Sequence, residues 1–410
     1  MLNELIPLSR NLIRLRQRDF KRYFLRDNPL TNRFSIIIGQ RGIGKTTAMI
    51  QRLKEYADNH SVDKALYLQT DHFLVARSSL YEITAEFYKL GGEMICFDEI
   101  HKYPEWSKEL KSIFDTFPNL TIIASGSSAL EITKGSHDLS RRALVYRMYG
   151  MSFREFIGMH AGIYFDSIPL EALLEGHCRV AGDIVALLEK NKLKVLALFR
   201  DYLEYGYYPY YLEYKDKGQF YLTLEQNIHT TLESDLPAIH ATLNGATVRR
   251  IEKLLSIISS LSPFTPDMKS LKELLGIGDE RTLKTYLKYL EDAGVILTVA
   301  KSGRGFRVME KPEKIYLNNP NIYNALAGNG LPDIGALRET FLLSMLRVGH
   351  SVSVPAKGDF LIDDRRTIGV GGKGKDARQI RDTLDAWLAL DGIETGYGNR
   401  IPLWLFGFIY

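Results

Sequence analysis

Short apolar runs closed by glycine or acidic residues alternate with helix-period stretches along the first third of the chain. Phe34-Ser35-Ile36-Ile37-Ile38 is one such run, and Thr47 to Tyr56 after it reads as a helix. Ala65 to Gln69 is a second run, followed by a helical stretch near Ser79 to Leu90. Met94 to Phe97, Thr121 to Ser125 and Leu144 to Tyr149 are three more. Runs that are apolar at nearly every position belong to strands covered on both faces. Their alternation with helices predicts a parallel sheet with helices on both faces over residues 34–150.

The pattern changes after that. Over 151–245 it is helical: Ser152 with Glu155 three residues on forms a capping box, and helical spacing recurs at Leu170 to Leu174, Ile184 to Leu193 and Phe199 to Glu204. Tyrosines crowd the stretch Tyr202 to Tyr214 around Gly206 and Pro209. They suit packing around a turn, with a base-stacking platform as the alternative. Over 246–311 a short helix (Ser270 to Leu275), a turn (Gly276 to Asp279) and a second helix (Glu280 to Ala293) precede a hairpin around Ser302-Gly303-Arg304-Gly305. That order predicts a winged helix. Leu283, Leu287 and Leu290 line one face of its second helix, and Arg281, Lys284 and Lys288 line another. Residues 312–410 return to mixed strand and helix signals. Residues 1–33 read as a basic helix, with Arg10, Arg14, Arg16, Arg18, Lys21, Arg22 and Arg26 set among leucines. Such a helix packs on a core with a solvated basic face, or meets phosphate or an acidic partner.

Composition changes this picture little. The 410 residues are 45% hydrophobic and 25% charged, with a net charge of +4, as in ordinary globular proteins. The N-terminus has no apolar core of a secretory signal, and the longest apolar stretch, Ile401 to Tyr410, is too short for a membrane span. Two cysteines, Cys96 and Cys178, make no disulfide framework, so a cytoplasmic setting is expected. The histidines show no metal-ligand spacing.

The candidate chemistry lies at the ends of the predicted strands. Gly39-Gln40-Arg41-Gly42-Ile43-Gly44-Lys45-Thr46-Thr47 fits the phosphate-binding loop G-x-x-x-x-G-K-[ST], with a strand before it and a helix after. Its backbone N–H groups would cradle a polyphosphate, with the helix N-terminus adding positive charge. Lys45 would reach the β- and γ-phosphates, and the Thr46 hydroxyl would hold Mg²⁺. Asp98 and Glu99 close the third run: Asp98 would complete the Mg²⁺ shell, and Glu99 would deprotonate the attacking water. The alternative for an Asp-Glu pair after a strand is a helix cap. Ser125 and Ser127, after the fourth run, are placed to touch the γ-phosphate or the water, or serve as turn residues. Arg142 would meet charge developing on the γ-phosphate, in its own subunit or a neighbour's, or is a surface arginine.

Asp98-Glu99-Ile100-His101-Lys102-Tyr103-Pro104-Glu105-Trp106 resembles the signature of prokaryotic AAA-type ATPases usually called simply ATP-binding proteins. Gly126-Ser127-Ser128, Ser152-Phe153-Arg154-Glu155-Phe156 and Tyr202 to Pro209 are similar to further marks of that family, and Asp235 resembles one of its positions without a chemistry to explain it. The resemblance implies ATP as the nucleotide. It also implies a multidomain α/β architecture: a P-loop NTPase core, a helical lid, a winged helix and a C-terminal α/β domain resembling restriction endonucleases. In that last domain Asp359 matches the first metal ligand of PD-(D/E)xK nucleases, and Glu339 matches an acidic residue of the preceding helix. Gly369 and Gly371 stand where glutamate and lysine are needed, with Lys373 and Lys375 out of register, so nuclease chemistry is not expected. The expected activity is Mg²⁺-dependent ATP hydrolysis driving rearrangement of the attached modules. The alternative is a slow nucleotide-gated switch that binds DNA or protein. DNA contact through the winged helix, a protein partner and assembly with further copies all stay open, and no membrane partner is expected.

Overall fold

The computed structural model describes residues 2–127, 139, 141–240, 242–302, 312–326, 333–376, 378–380 and 383–410. They form two compact units, Met1–Tyr149 with Thr230–Asn244, and Gly150–His229 with Gly245–Tyr410. No helix among the described residues is long and apolar enough to cross a membrane.

The first unit runs α1 (Leu2–Arg16), α2 (Tyr23–Asp27), β1 (Phe34–Gly39), α3 (Lys45–Asn59), β2 (Ala65–Gln69), α4 (Leu80–Lys89), β3 (Met94–Asp98), α5 (Trp106–Thr116), β4 (Thr121–Ser127) and β5 (Leu144–Arg147). The strands pair in parallel in the order β2-β3-β4-β1-β5. Every residue of β1 and β3 is buried, as their unbroken apolar runs require. Phe34, Ile36 and Ile38 join Leu66, Ile95, Phe97, Ile122 and the α1 residues Leu2 and Leu5 in one core. Each such side chain contributes about 1.5–3 kcal/mol by leaving water. The strand between the phosphate-loop strand and the acidic strand is β4, while β2 lies at the edge.

Helix α1 covers that edge. Ser9 Oγ accepts the Tyr67 N–H at 2.8 Å, and Arg16 donates to the Tyr67 hydroxyl at 3.0 Å. An open strand edge is a liability that such a cover removes. The basic N-terminal helix therefore packs on the core, the plainer of its two expected roles.

The second unit begins with α6 (Phe153–Ala161), α7 (Leu170–Lys190) and α8 (Val195–Asp201), and α9 (Lys217–Thr230) follows a tyrosine-rich turn. Ser152 and Glu155 make the capping box as expected. Phe153 lies at the centre of Phe156, Phe199, Tyr202, Trp404 and Phe408, with ring centroids 5.3 to 6.4 Å away. The chain then returns to the first unit for a turn, Thr231–Asp235, and α10 (Leu236–Ile239). The stretch 151–245, expected as one helical part, thus divides near residue 230. Its earlier portion buries its aromatic face against the C-terminal residues of the chain. Tyr202, Tyr207, Tyr208 and Tyr211 are buried, and Tyr208 takes a hydrogen bond from Asn319 at 3.0 Å. These rings are packing, not an open stacking surface.

Helices α11 (Gly245–Leu261), α12 (Met268–Leu275) and α13 (Glu280–Asp292) lead into the antiparallel strands β6 (Ile296–Val299) and β7 (Lys314–Leu317). Asp279 caps α13 through the N–H groups of Arg281 and Thr282. Leu283, Leu287 and Leu290 are buried, as their spacing predicts. The expected wing residues Gly303, Arg304 and Gly305 lie outside the described residues.

After α14 (Pro320–Leu326) and α15 (Ile334–Leu346) comes a second five-stranded sheet: β8 (Val352–Ser353), β9 (Phe360–Ile362), β10 (Arg366–Gly372), β11 (Ala386–Asp391) and β12 (Arg400–Pro402), in the order β12-β11-β10-β9-β8. Strands β10, β11 and β12 are parallel, while β9 pairs antiparallel with both of its neighbours, β10 and β8.

Candidate functional site

The phosphate loop leaves β1 at Gly39 and enters α3 at Lys45. Gly42 (φ 82°) and Gly44 (φ 101°) both take left-handed backbone that side-chain-bearing residues avoid. Ile43 between them is fully buried, and its carbonyl accepts a 2.8 Å hydrogen bond from the buried Arg22. Arg22 also donates to the Tyr149 carbonyl at 3.1 Å, so one guanidinium pins the loop to the end of the sheet. Sequence reasoning counted Arg22 among the surface charges of the N-terminal helix and missed this role. Nothing local to Arg22 signals it.

Lys45 is 5% exposed and donates to the Gly39 and Gln40 carbonyls of its own loop, at 2.8 Å each. Burial pulls its pKa below the usual lysine range, while Glu99, Asp98 and Asp235 oppose that shift. An ammonium held, among the described residues, by two backbone carbonyls is readily drawn to a stronger anion. Thr46 at the start of α3 donates to Asp98 Oδ2 at 2.7 Å.

Asp98 ends β3 with a hydrogen bond at each carboxylate oxygen. Tyr67 donates to Oδ2 at 2.6 Å, and the Ser125 hydroxyl donates to Oδ1. Burial and then Asp98 push the Tyr67 phenol well above its ordinary pKa, so it stays a donor. The Thr46 hydroxyl and the Asp98 carboxylate offer hard oxygen donors side by side, the chemistry that suits Mg²⁺. Tyr67 was legible in the sequence only as one member of an apolar run, since its hydroxyl meets Asp98 across a strand pair.

Glu99 follows in a left-handed conformation (φ 55°, ψ 41°), a strained backbone for a residue with a side chain. Hydrogen bonds on both sides of the residue hold it there, including one from the Lys102 N–H to its carbonyl at 3.0 Å. Its N–H donates to Ser125 Oγ at 3.1 Å, and its carbonyl accepts from Thr70 at 2.9 Å. Its carboxylate, 23% exposed, lies 3.5 Å from His101 Nε2 and 3.9 Å from Lys102 Nζ. His101 also lies 3.5 Å from the buried Asp235, which faces Arg41 of the phosphate loop at 3.8 Å.

The structure thus brings together Lys45, Thr46, Asp98, Glu99 and Ser125, with Ser127 one shell out through its N–H to His101 Nδ1 at 3.4 Å. Ser125 touches the two acidic residues directly. Arg142 is held elsewhere, in a two-pronged pair with Asp115 on α5 at 2.8 and 3.0 Å. Ser128 lies outside the described residues.

In the C-terminal sheet Asp359 accepts the Val370 N–H at 2.7 Å and pairs with Lys375 at 2.8 Å. Lys375 therefore reaches this position despite being out of register in the sequence, because the turn after β10 folds it back. A Cβ on Gly371 would collide with the Lys375 stem at 2.4 Å, so the lysine occupies the room above that glycine. The β10–β11 register runs unbroken from Thr367 to Gly372, leaving no bulge to bring in Lys373. Glu339 accepts from Tyr316 at 2.8 Å and faces Lys314 at 3.4 Å.

Residues 31–157 match the family profile of an AAA domain, AAA_14, and residues 196–333 match a domain of unknown function, DUF8612. Over 386 residues the chain is 26% identical to the uncharacterized protein MJ1637 of Methanocaldococcus jannaschii, covering 88% of this chain and 80% of that protein. Among solved structures it is similar to the Walker-type ATPase PABY2304 of Pyrococcus abyssi, with 16% identity, a TM-score of 0.38, and coverage of 75% of this chain and 96% of that one. It is also similar to the AMPPCP-bound DnaA of Aquifex aeolicus, with 13% identity, a TM-score of 0.28, and coverage of 66% and 89%. The chain carries an AAA-type, P-loop NTPase-like domain on a parallel five-stranded sheet, joined to a domain of unknown function and a further C-terminal sheet.

Proposed function

We propose that the protein binds ATP and hydrolyses it with Mg²⁺, and that the cycle rearranges the attached second unit. The observation that carries this reading is the meeting of Thr46 and Asp98 at 2.7 Å, beside the buried Lys45 and the exposed edge of Glu99. Lys45 exchanges its two loop carbonyls for β- and γ-phosphate oxygens, a stronger charge-assisted contact. Thr46 and Asp98 would hold Mg²⁺, which would neutralise the phosphate charge. Glu99 orients the attacking water and accepts its proton. Ser125 keeps Asp98 and the Glu99 turn in register. Arg142 belongs to the Asp115 pair in this reading and acts on phosphate only if that pair opens. We also propose that residues 246–311 form a winged helix that contacts DNA or a protein partner, and that copies of the chain assemble into oligomers.

Lys45→Ala is expected to abolish detectable ATP binding. Glu99→Gln is expected to bind ATP as wild type does but release no phosphate, because the amide fills the space and cannot take the proton. Labelled-ATP binding and phosphate release on both variants test this. Turnover retained in Glu99→Gln removes that residue from its role, and a wild type that binds but barely turns over favours the slow switch.

A further inference from the structure

Asp235 stands in Glu233-Ser234-Asp235-Leu236-Pro237, and the hydrolytic chemistry above makes no use of it. Its side chain is 3% exposed. Among the described residues none donates a hydrogen bond to its Oδ1, and the two groups facing it, His101 Nε2 and Arg41 NH1, likewise have no hydrogen-bond partner. They lie 3.5 and 3.8 Å away. Buried polar atoms are rarely left unsatisfied, and a buried anion costs most of all. A small approach would turn both contacts into charge-assisted hydrogen bonds.

His101 is the pivot. The Ser127 N–H points to Nδ1, so Nδ1 accepts and Nε2 carries the proton of the neutral ring. That Nε2–H lies 3.5 Å from Asp235 Oδ1 and 3.5 Å from Glu99 Oε2. The ring is fully buried, so it has no room to turn toward solvent. One donor therefore stands between the carboxylate assigned to the attacking water and a second carboxylate on a distant element. Asp235 also acts electrostatically on Lys45.

We propose that Asp235 is a positioning residue of the hydrolytic site: it fixes His101, and through it Glu99, while reading the state of the phosphate loop through Arg41. The inference rests on the ATPase reading above. Polyphosphate draws Lys45 off the Gly39 and Gln40 carbonyls, the loop carries Arg41 with it, and the Asp235 contacts tighten. Asp235 belongs to Thr230–Asn244, a segment of the first unit whose two ends both continue into the second. Its movement is therefore carried into the chain on either side.

The test uses the full chain as wild type, Asp235→Asn, His101→Gln and the double variant. Each folded single variant should lose about tenfold or more in kcat while KM and ATP binding change by less than about threefold. The double variant should be no slower than the slower single, because both act through one contact. A non-hydrolysable ATP analogue with Mg²⁺ should slow amide exchange over residues 231–239 in wild type and leave it unchanged in Asp235→Asn. Wild-type kcat in either folded single variant, effects that multiply in the double, or exchange in wild type that ignores the analogue overturns the proposal. If Asp235→Asn does not fold, His101→Gln and the wild-type exchange measurement decide alone. A wild type that binds no more ATP than Lys45→Ala overturns the ATPase reading itself, and the proposal with it.

Discussion

Ser125 joins the two acidic residues of the site through one hydroxyl, donating to Asp98 and accepting the Glu99 N–H. Ser125→Ala leaves that buried N–H unmet and releases a strained left-handed turn. The expected cost is about 1–3 kcal/mol of stability, read as a lower urea midpoint. Turnover should fall as well, because Glu99 loses its backbone anchor; an unchanged phosphate-release rate would separate the turn from catalysis. At this scale the phosphate loop, Asp98 and Glu99 were legible because glycines, lysine and carboxylates fall at fixed local spacings. The roles of Tyr67, Arg22 and Asp235 were not, although Asp235 stood out by resemblance. Each reaches the site across 31, 21 or more than 130 residues of chain, and no local spacing encodes such contacts.

Helix α13 has an apolar seam as its spacing predicts, but its basic face is not a free row of cations. Lys284 pairs with Glu280 at 3.0 Å and Lys288 with Asp292 at 2.6 Å. Two acidic residues beside three basic ones leave a net charge near that of Arg281 alone. If this face meets duplex DNA, replacing Arg281, Lys284 and Lys288 with alanine should flatten the salt dependence by about one phosphate contact, not about three. Isotherms at several salt concentrations read the slope, and Arg281→Ala alone should give most of the change. A wild type that binds no duplex at low salt makes the module a protein contact. The strands of the first sheet were readable from their apolar runs, and α12 and α13 from the turn between them and the leucine spacing of the second. The division of 151–245 was not, since it depends on which distant aromatic residues surround Phe153.

On the scale of the whole molecule, the C-terminal sheet offers a neutralised pair where a nuclease needs open carboxylates. Lys375 sits on Asp359, and glycine occupies both neighbouring positions of β10 that would supply a glutamate and a lysine. With its charge met by an ammonium, Asp359 has little to offer a divalent cation. Plasmid, linear and single-stranded DNA incubated with the protein in Mg²⁺ or Mn²⁺ should stay intact. Cleavage that disappears in Asp359→Ala would show that this pair opens to a working metal site.

The chain's return to the first unit between residues 230 and 244 bears on how such a protein can evolve. Two units strung end to end can be exchanged between genes as cassettes, each keeping its own core. Here a cut near residue 150 would separate the phosphate loop from the carboxylate that faces Arg41 and His101. A recombination event there would yield a nucleotide site with a piece missing and a partner unit with a stray insertion. The two units are therefore expected to be inherited together, and a swapped second unit to succeed only when it carries its own version of the returning segment.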